Sequence, residues 1–467
     1  MSELEQLRTA LLRDTRCGYD RMDRAETPAM DGYCRDYMDF ISRAKIEREA
    51  TARTIALAEA AGYRPYAPGM ALRAGDKVYH NNRGKSVYFA HIGKKSLAEG
   101  CRIAAAHIDS PRLDLKPNPL YEDAEMALLK THYYGGIKKY QWTALPLALH
   151  GAVVLSDGTK RDVCFGEDPS EPVLYVTDLL IHLAKDQMTK PMTEGVTAEQ
   201  LNILVGSRPV EGEGSDRVKL EVLRLLNEKY GMTEEDFRSA ELCAVPAGPA
   251  RYVGFDRSMI LGYGHDDKVC AFACFYPLLS QPTPEYTSVC LLADKEEIGS
   301  VGVTGMKSQA FETFMEDLCD AEGVSVRRCF ERSFCLSADV TNAFDPDYAE
   351  TCDKRNSAIL GGGVGVCKYT GARGKSGASD ASAEAMGFLR GVLARGEVLW
   401  QSATLGKVDQ GGGGTVAGYM ANRNIVTVDA GVPVLSMHAP LEVVSTLDAY
   451  MMKKAAAAVY RDSAPLD

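Results

Sequence analysis

Apolar positions recur along this chain in two rhythms, one of short alternating or unbroken runs and one spaced for helices. Helical spacing fills the first sixty residues, with one long periodic segment from Asp31 to Ala61 that Gly62 ends. Residues 77–80 and 86–91 then alternate around Asn81-Asn82-Arg83-Gly84, which predicts a hairpin. Residues 101–108 are a run of small apolar side chains and read as a strand buried on both faces. From about Asn118 to Pro249 the texture changes. A second hairpin is predicted over 147–164, turning at Asp157-Gly158, and an amphipathic helix over 217–230. A further helix is expected to open at Thr233, with Asp236 three residues on as a loose capping box. Beyond that segment, strand-like runs at 288–293, 333–338 and 424–428 alternate with helical runs at 267–279, 308–321, 381–393 and 441–460. Such alternation argues for an α/β fold with a largely parallel sheet. The simplest division makes 1–117 and 250–467 one α/β domain and 118–249 an inserted second one.

Composition adds exclusions. A chain of 467 residues, 45% hydrophobic and 25% charged, is an ordinary globular protein too long for one simple core. Its formal net charge of -11 argues against nucleic acid or an anionic membrane as partner. Thirteen cysteines, odd in number and without CxxC pairs, read as buried small residues in a reducing compartment. No apolar stretch approaches the ~18–20 residues that cross a bilayer. The N-terminus, Met1-Ser2-Glu3-Leu4-Glu5, is neither a secretory signal nor a transit peptide, so the expected location is cytoplasmic.

The most informative chemistry is the vicinal pair Glu296-Glu297, into which the apolar run 288–293 leads. Adjacent carboxylates repel, and neighbouring side chains on a strand point in opposite directions. Where the backbone bends after a strand, one can hold a metal while the other turns toward a bound water. Ligands for such a metal stand at four further places. His107 ends the run 101–108, with Asp109 two residues on to orient its ring. Asp266 and Asp267 precede a helix, where Asp267 alone would serve as a cap. Asp339 follows the run 333–338, and His438 follows another apolar run before Pro440. Ligands collect at the carboxyl ends of strands in open α/β sheets. Two histidines with several carboxylates and no thiolate suit zinc, cobalt or manganese. This many carboxylates suits two ions, with one extra carboxylate as general base.

In order and spacing, His107-Ile108-Asp109-Ser110, Asp294-Lys295-Glu296-Glu297-Ile298-Gly299-Ser300, Ser337-Ala338-Asp339 and Ser436-Met437-His438 resemble the aspartyl aminopeptidase family, the vacuolar aminopeptidase I-like dinuclear metalloaminopeptidases. The resemblance covers nearly the whole chain. It implies a phosphorylase/hydrolase-like α/β catalytic domain interrupted by a smaller β-rich domain, assembled as a tetrahedral dodecamer. It implies two divalent ions per subunit, zinc first among them: His107 and Asp339 on one, Glu297 and His438 on the other, Asp266 between. Glu296 would be the general base and Asp109 would steer His107. His182, in Leu180-Ile181-His182-Leu183, matches a histidine that reaches a neighbouring subunit's active site. The family's metal bridge is commonly followed by Asn, whereas Asp267 follows here, which leaves Asp266 and Asp267 both open as the bridge. The segment Tyr134-Gly135-Gly136 resembles the family's Gly-Gly segment but continues with more basic residues, Lys138-Lys139.

Arg373 and Lys375 lie where family members keep a basic group facing the substrate side chain, and are the candidate partners of an acidic N-terminal residue. Gly374-Lys375-Ser376 ends like a phosphate loop, but Tyr369 stands where that motif requires glycine. The glycine runs 361–365 and 411–414 read instead as tight turns or close backbone approaches at a pocket rim. His80, His91, His132, His150 and His265 read as structural or surface residues. The expected activity is removal of N-terminal residues from peptides with a free amine. Its rivals are a dinuclear deacylase or carboxypeptidase-like hydrolase, and a non-catalytic assembly protein on the same scaffold.

Overall fold

A computed structural model describes residues 2–466. Its largest element is a nine-stranded sheet, in the order Arg64–Pro65, Lys77–Asn82, Ser86–His91, Thr287–Ala293, Cys101–His107, Phe334–Ala338, Val426–Gly431, Val364–Cys367 and Trp400–Ser402. The four strands Thr287–Ala293, Cys101–His107, Phe334–Ala338 and Val426–Gly431 run parallel, so their carboxyl ends share one edge of the sheet. Ser86–His91 and Val364–Cys367 pair antiparallel on either side, which makes the sheet mixed.

Burial follows the strand period. In Cys101–His107, Ala104 and Ala106 enter one apolar core while Cys101, Ile103 and Ala105 enter another on the opposite face. Helices Thr27–Arg43, His265–Phe275 and Thr446–Arg461 fill the first core, and Ala310–Asp320 and Val326–Glu331 the second. Covered on both sides, these strands need no polar alternation, which is why they read as unbroken apolar runs. The alanines let His265–Phe275 lie close against the sheet, and all eleven of its residues are buried.

A second sheet has seven strands and is drawn from residues 112–246. Pairing of Ala240–Pro246 with both Arg112–Asp123 and Pro146–Val154 closes it on itself. It has its own apolar core around Trp142, with helix Arg217–Tyr230 against it. A third sheet, of five strands, places Glu442–Ser445 between Met259–Gly262 and Pro433–Leu435.

Several expectations need correction. The helical segment 31–61 is two helices, Thr27–Arg43 and Glu47–Ala60, because Glu49 turns back to accept the amides of Lys45 and Ile46. The segment opening at Thr233 forms only the short turn Glu235–Ser239, with Asp236 capping Thr233 as expected. The run 441–460 splits into the strand Glu442–Ser445 and the helix Thr446–Arg461, so Pro440 precedes a strand. The boundary expected at 117 falls inside the strand Arg112–Asp123. All thirteen cysteines are free and eleven are buried. Among the described residues, no helix is long and apolar enough to cross a membrane.

Candidate metal centre

The parallel strands deliver their chemistry at one edge. His107 is the last residue of its strand and lies opposite Ala293, so the turn Glu296–Ile298 begins just beyond it. Asp339 follows Phe334–Ala338, while Asp266 and His438 arrive from the five-stranded sheet. Asp266 stands at the middle. Its Oδ1 is 3.2 Å from His107 Nε2 and its Oδ2 is 3.1 Å from His438 Nε2. Asp339 Oδ1 lies 3.8 Å and Glu296 Oε2 4.0 Å from His107 Nε2, and Glu297 Oε2 lies 3.4 Å from His438 Nε2. Sequence-remote residues thus converge in one cage.

Both imidazoles are oriented from behind. His107 Nδ1 faces the carbonyl of Asp109 at 3.1 Å and its carboxylate at 3.3 Å, and His438 Nδ1 faces the carbonyl of Gly136 at 2.8 Å. With Nδ1–H donating to oxygen, each Nε2 is left to the cage. Asp109 does more than steer a ring. It accepts the amides of Glu296 and Glu297 at 3.1 and 3.2 Å and the Tyr134 hydroxyl at 2.8 Å. Lys295, at φ 68°, makes the left-handed turn that folds the two glutamates over it.

The electrostatics call for cations. Burial pushes the carboxyls of Glu296, Glu297 and Asp339 up, and the aspartates beside them add to this. Burial alone would lower His107, but the carboxylates of Asp109 and Asp266 beside it carry it well above the ordinary range. Burial likewise opposes the charge on His438, yet Asp266 and Glu297 raise it to about 10. Asp266 Oδ1 and Glu297 Oε1 are buried without a hydrogen-bond partner among the described residues. Buried orphan acceptors are rare and point to a missing electrophile. Two ligand groupings sit within metal-binding reach, His107–Asp266–Glu297 and His107–Asp267–Asp339. Asp266 and Asp267 now differ in kind: Asp266 faces both histidines, whereas Asp267 is fully buried and accepts the His107 amide at 3.4 Å.

The cage forms the floor of a cavity of about 520 Å³, whose walls include Tyr369, Arg373, Lys375 and Gly411–Gly414. The second glycine run therefore does border the pocket, while Gly361 and Gly363 donate amides to Asp448. Lys375 is paired with Asp380 at 3.1 Å and lies over the Tyr369 ring; Arg373 has no carboxylate within ion-pair distance among the described residues. His182 is exposed in the turn Ile181–Leu183 and does not line this cavity. The histidines read as structural behave so in two buried cases: His265 bonds Tyr37 and Ile260, and His150 lies between Glu49 and Glu167. Glu442 touches the site machinery without having been singled out, whereas Tyr134 and Gly136 belong to the segment marked only by its family resemblance, with no role assigned to them. For Glu442 the available signal was its spacing, four residues after His438.

A histidine–carboxylate cage at the carboxyl edge of a parallel sheet, flooring a pocket, defines a metal-dependent hydrolase. Comparison with known proteins places it further. Residues 40–460 match the family described as aminopeptidase I zinc metalloprotease (M18), and the chain belongs to that family. A probable M18 family aminopeptidase 1 of Clostridium acetobutylicum is 49% identical over 452 residues, covering 95% of this chain and 97% of that one. The crystal structure of aminopeptidase I from the same organism superposes with a TM-score of 0.91 at 46% identity, covering 97% and 100%. A structure titled the mApe1 dodecamer of S. cerevesiae, 18% identical with a TM-score of 0.75 over 92% and 96% of the chains, shares the fold. The protein is a metalloaminopeptidase.

Proposed function

We propose that this aminopeptidase works with two divalent ions, zinc in the first instance, held by His107 and Asp339 on one side and Glu297 and His438 on the other, with Asp266 shared. The observation that carries this is the two-sided Asp266 carboxylate, one oxygen toward each histidine. When bound, such ions supply Lewis acidity to the scissile carbonyl and to the attacking water. Glu296, next to the cage but with no second histidine to engage it, takes the proton from that water and hands it to the leaving amine. Asp109 keeps Glu296, Glu297 and His107 in register. Carboxylates at the closed floor of the cavity hold the free α-amine, which restricts cleavage to the first peptide bond.

The finer reading extends outward. With the first boundary moved from 117 to the start of the strand Arg112–Asp123, the two outer stretches of the chain form a phosphorylase/hydrolase-like catalytic domain, and the segment between them, up to 249, an inserted β-rich oligomerisation domain; the separate cores of the two large sheets support this. The enzyme is cytoplasmic, assembles as a tetrahedral dodecamer and places His182 over a neighbour's cavity. Arg373, a cation in the wall with no carboxylate within ion-pair distance among the described residues, pairs with an acidic N-terminal side chain in preference to Lys375, which Asp380 already engages. A panel of Asp-, Glu-, Leu- and Met-anilides with free and acetylated amines tests both specificity statements. Activity on acetylated substrates would return the deacylase reading, and faster cleavage of Leu and Met would remove the acidic pocket.

A further inference from the structure

We propose that Glu442 is a positioning residue for the metal centre, one buried carboxylate that holds the backbones of Asp266 and His438 together. The inference rests on the ligand assignment just made. Glu442 is 1% exposed and opens the strand Glu442–Ser445. Its Oε2 accepts the Asp266 amide at 3.0 Å and its Oε1 accepts the His438 amide at 2.7 Å. Those amides belong to the shared aspartate and to one of the histidines it faces. One carboxylate thereby spans two ligands brought in by different strands.

The third sheet makes this span possible. Gly262 lies opposite Glu442 in the antiparallel pair, so the chain reaches Asp266 four residues beyond the register point. Gly264, at φ +74°, turns it there, and a Cβ would sit 2.7 Å from Ser110 Oγ. Ser110 Oγ in turn donates to the Asp266 carbonyl at 2.5 Å and accepts from the buried Lys268 ammonium at 2.6 Å. The Asp266 backbone is therefore gripped on both sides, its N–H by Glu442 and its carbonyl by Ser110. His438 adopts φ 65°, in the left-handed region that non-glycine residues seldom occupy. The hydrogen bonds from its N–H to Glu442 and from its ring to the Gly136 carbonyl hold it there. Outer partners of this kind set ligand orientation and thus metal affinity.

Glu442→Gln keeps the shape but presents an NH2 group to one of the two amides; Glu442→Asp keeps both oxygens on a shorter arm. Full-length proteins would be stripped of metal and titrated with Zn2+ against a chromophoric chelator, with melting temperatures taken on the stripped forms. The expected result is zinc affinity about 10- to 100-fold weaker in Glu442→Gln, with Glu442→Asp between it and the parent. At saturating zinc, kcat should fall while KM stays near the parent value. Should Glu442→Gln fail to fold, Glu442→Asp carries the same affinity test. Zinc affinity within twofold of the parent would overturn the proposal, whatever happens to the melting temperature. Asp266→Asn is the control: if it too binds zinc as the parent does, the ligand assignment fails, whereas loss there with no loss at Glu442 sinks the positioning role alone.

Discussion

Asp109 shows how much one buried side chain does at the residue scale: two amides, one hydroxyl and one imidazole converge on it. The glutamate pair it supports divides the labour, Glu297 toward His438 and Glu296 toward His107 and the open cavity. Glu296→Gln should retain its metal by elemental analysis and lose about 10²- to 10⁴-fold in kcat, the usual yield of a general base. Near-normal turnover in that variant would take Glu296 out of the role. Residues like these were legible in the sequence because each stands where an apolar run stops. Glu442 was not, and the segment holding Tyr134 and Gly136 was marked by resemblance without a role, since their contributions run through hydroxyl, carbonyl and amide contacts across the fold. No local pattern encodes such contacts.

Elements were legible where burial imposes a period and obscure where polar contacts interrupt one. Arg217–Tyr230 appears as its spacing predicts, because one face alone packs on the core of the seven-stranded sheet. The break at 44–46 carries neither glycine nor proline and depends on Glu49 reaching back, and the strand Glu442–Ser445 hides in a run that also satisfies helical spacing. The same helix, Glu47–Ala60, is tied to the seven-stranded sheet by His150, which lies 2.7 Å from Glu49 and 3.1 Å from Glu167. Burial opposes charge on this ring, but the hydrogen bonds to Glu167 and Glu49 prevail and raise its pKa from 6.5 to about 9. A raised folded-state pKa stabilises fully below the unfolded value and fades as pH climbs through the folded one. The link should therefore be worth on the order of 3 kcal/mol at pH 6 and vanish above about pH 9. Urea unfolding of the parent and His150→Gln between pH 6 and 10 measures it; a gap that does not narrow with rising pH would contradict the charged bridge.

For the whole molecule, His182 stands exposed between Leu180, Ile181 and Leu183, which are 54%, 69% and 68% exposed. Apolar side chains grouped at that exposure fit a face that another copy covers. Light scattering should give a mass near twelve subunits, and co-expressed His182→Ala and Glu296→Gln chains should regain part of the activity that each lacks alone. No recovery in verified mixed assemblies would confine the active site to one chain. These expectations depend on the cage itself. Its most direct test is zinc-edge anomalous diffraction from crystals of the metal-loaded enzyme. Two peaks roughly 3.5–4 Å apart, one beside His107 and Asp339, the other beside Glu297 and His438, with Asp266 between, are the predicted result. A single peak, or metal bound away from Asp266, would contradict the account.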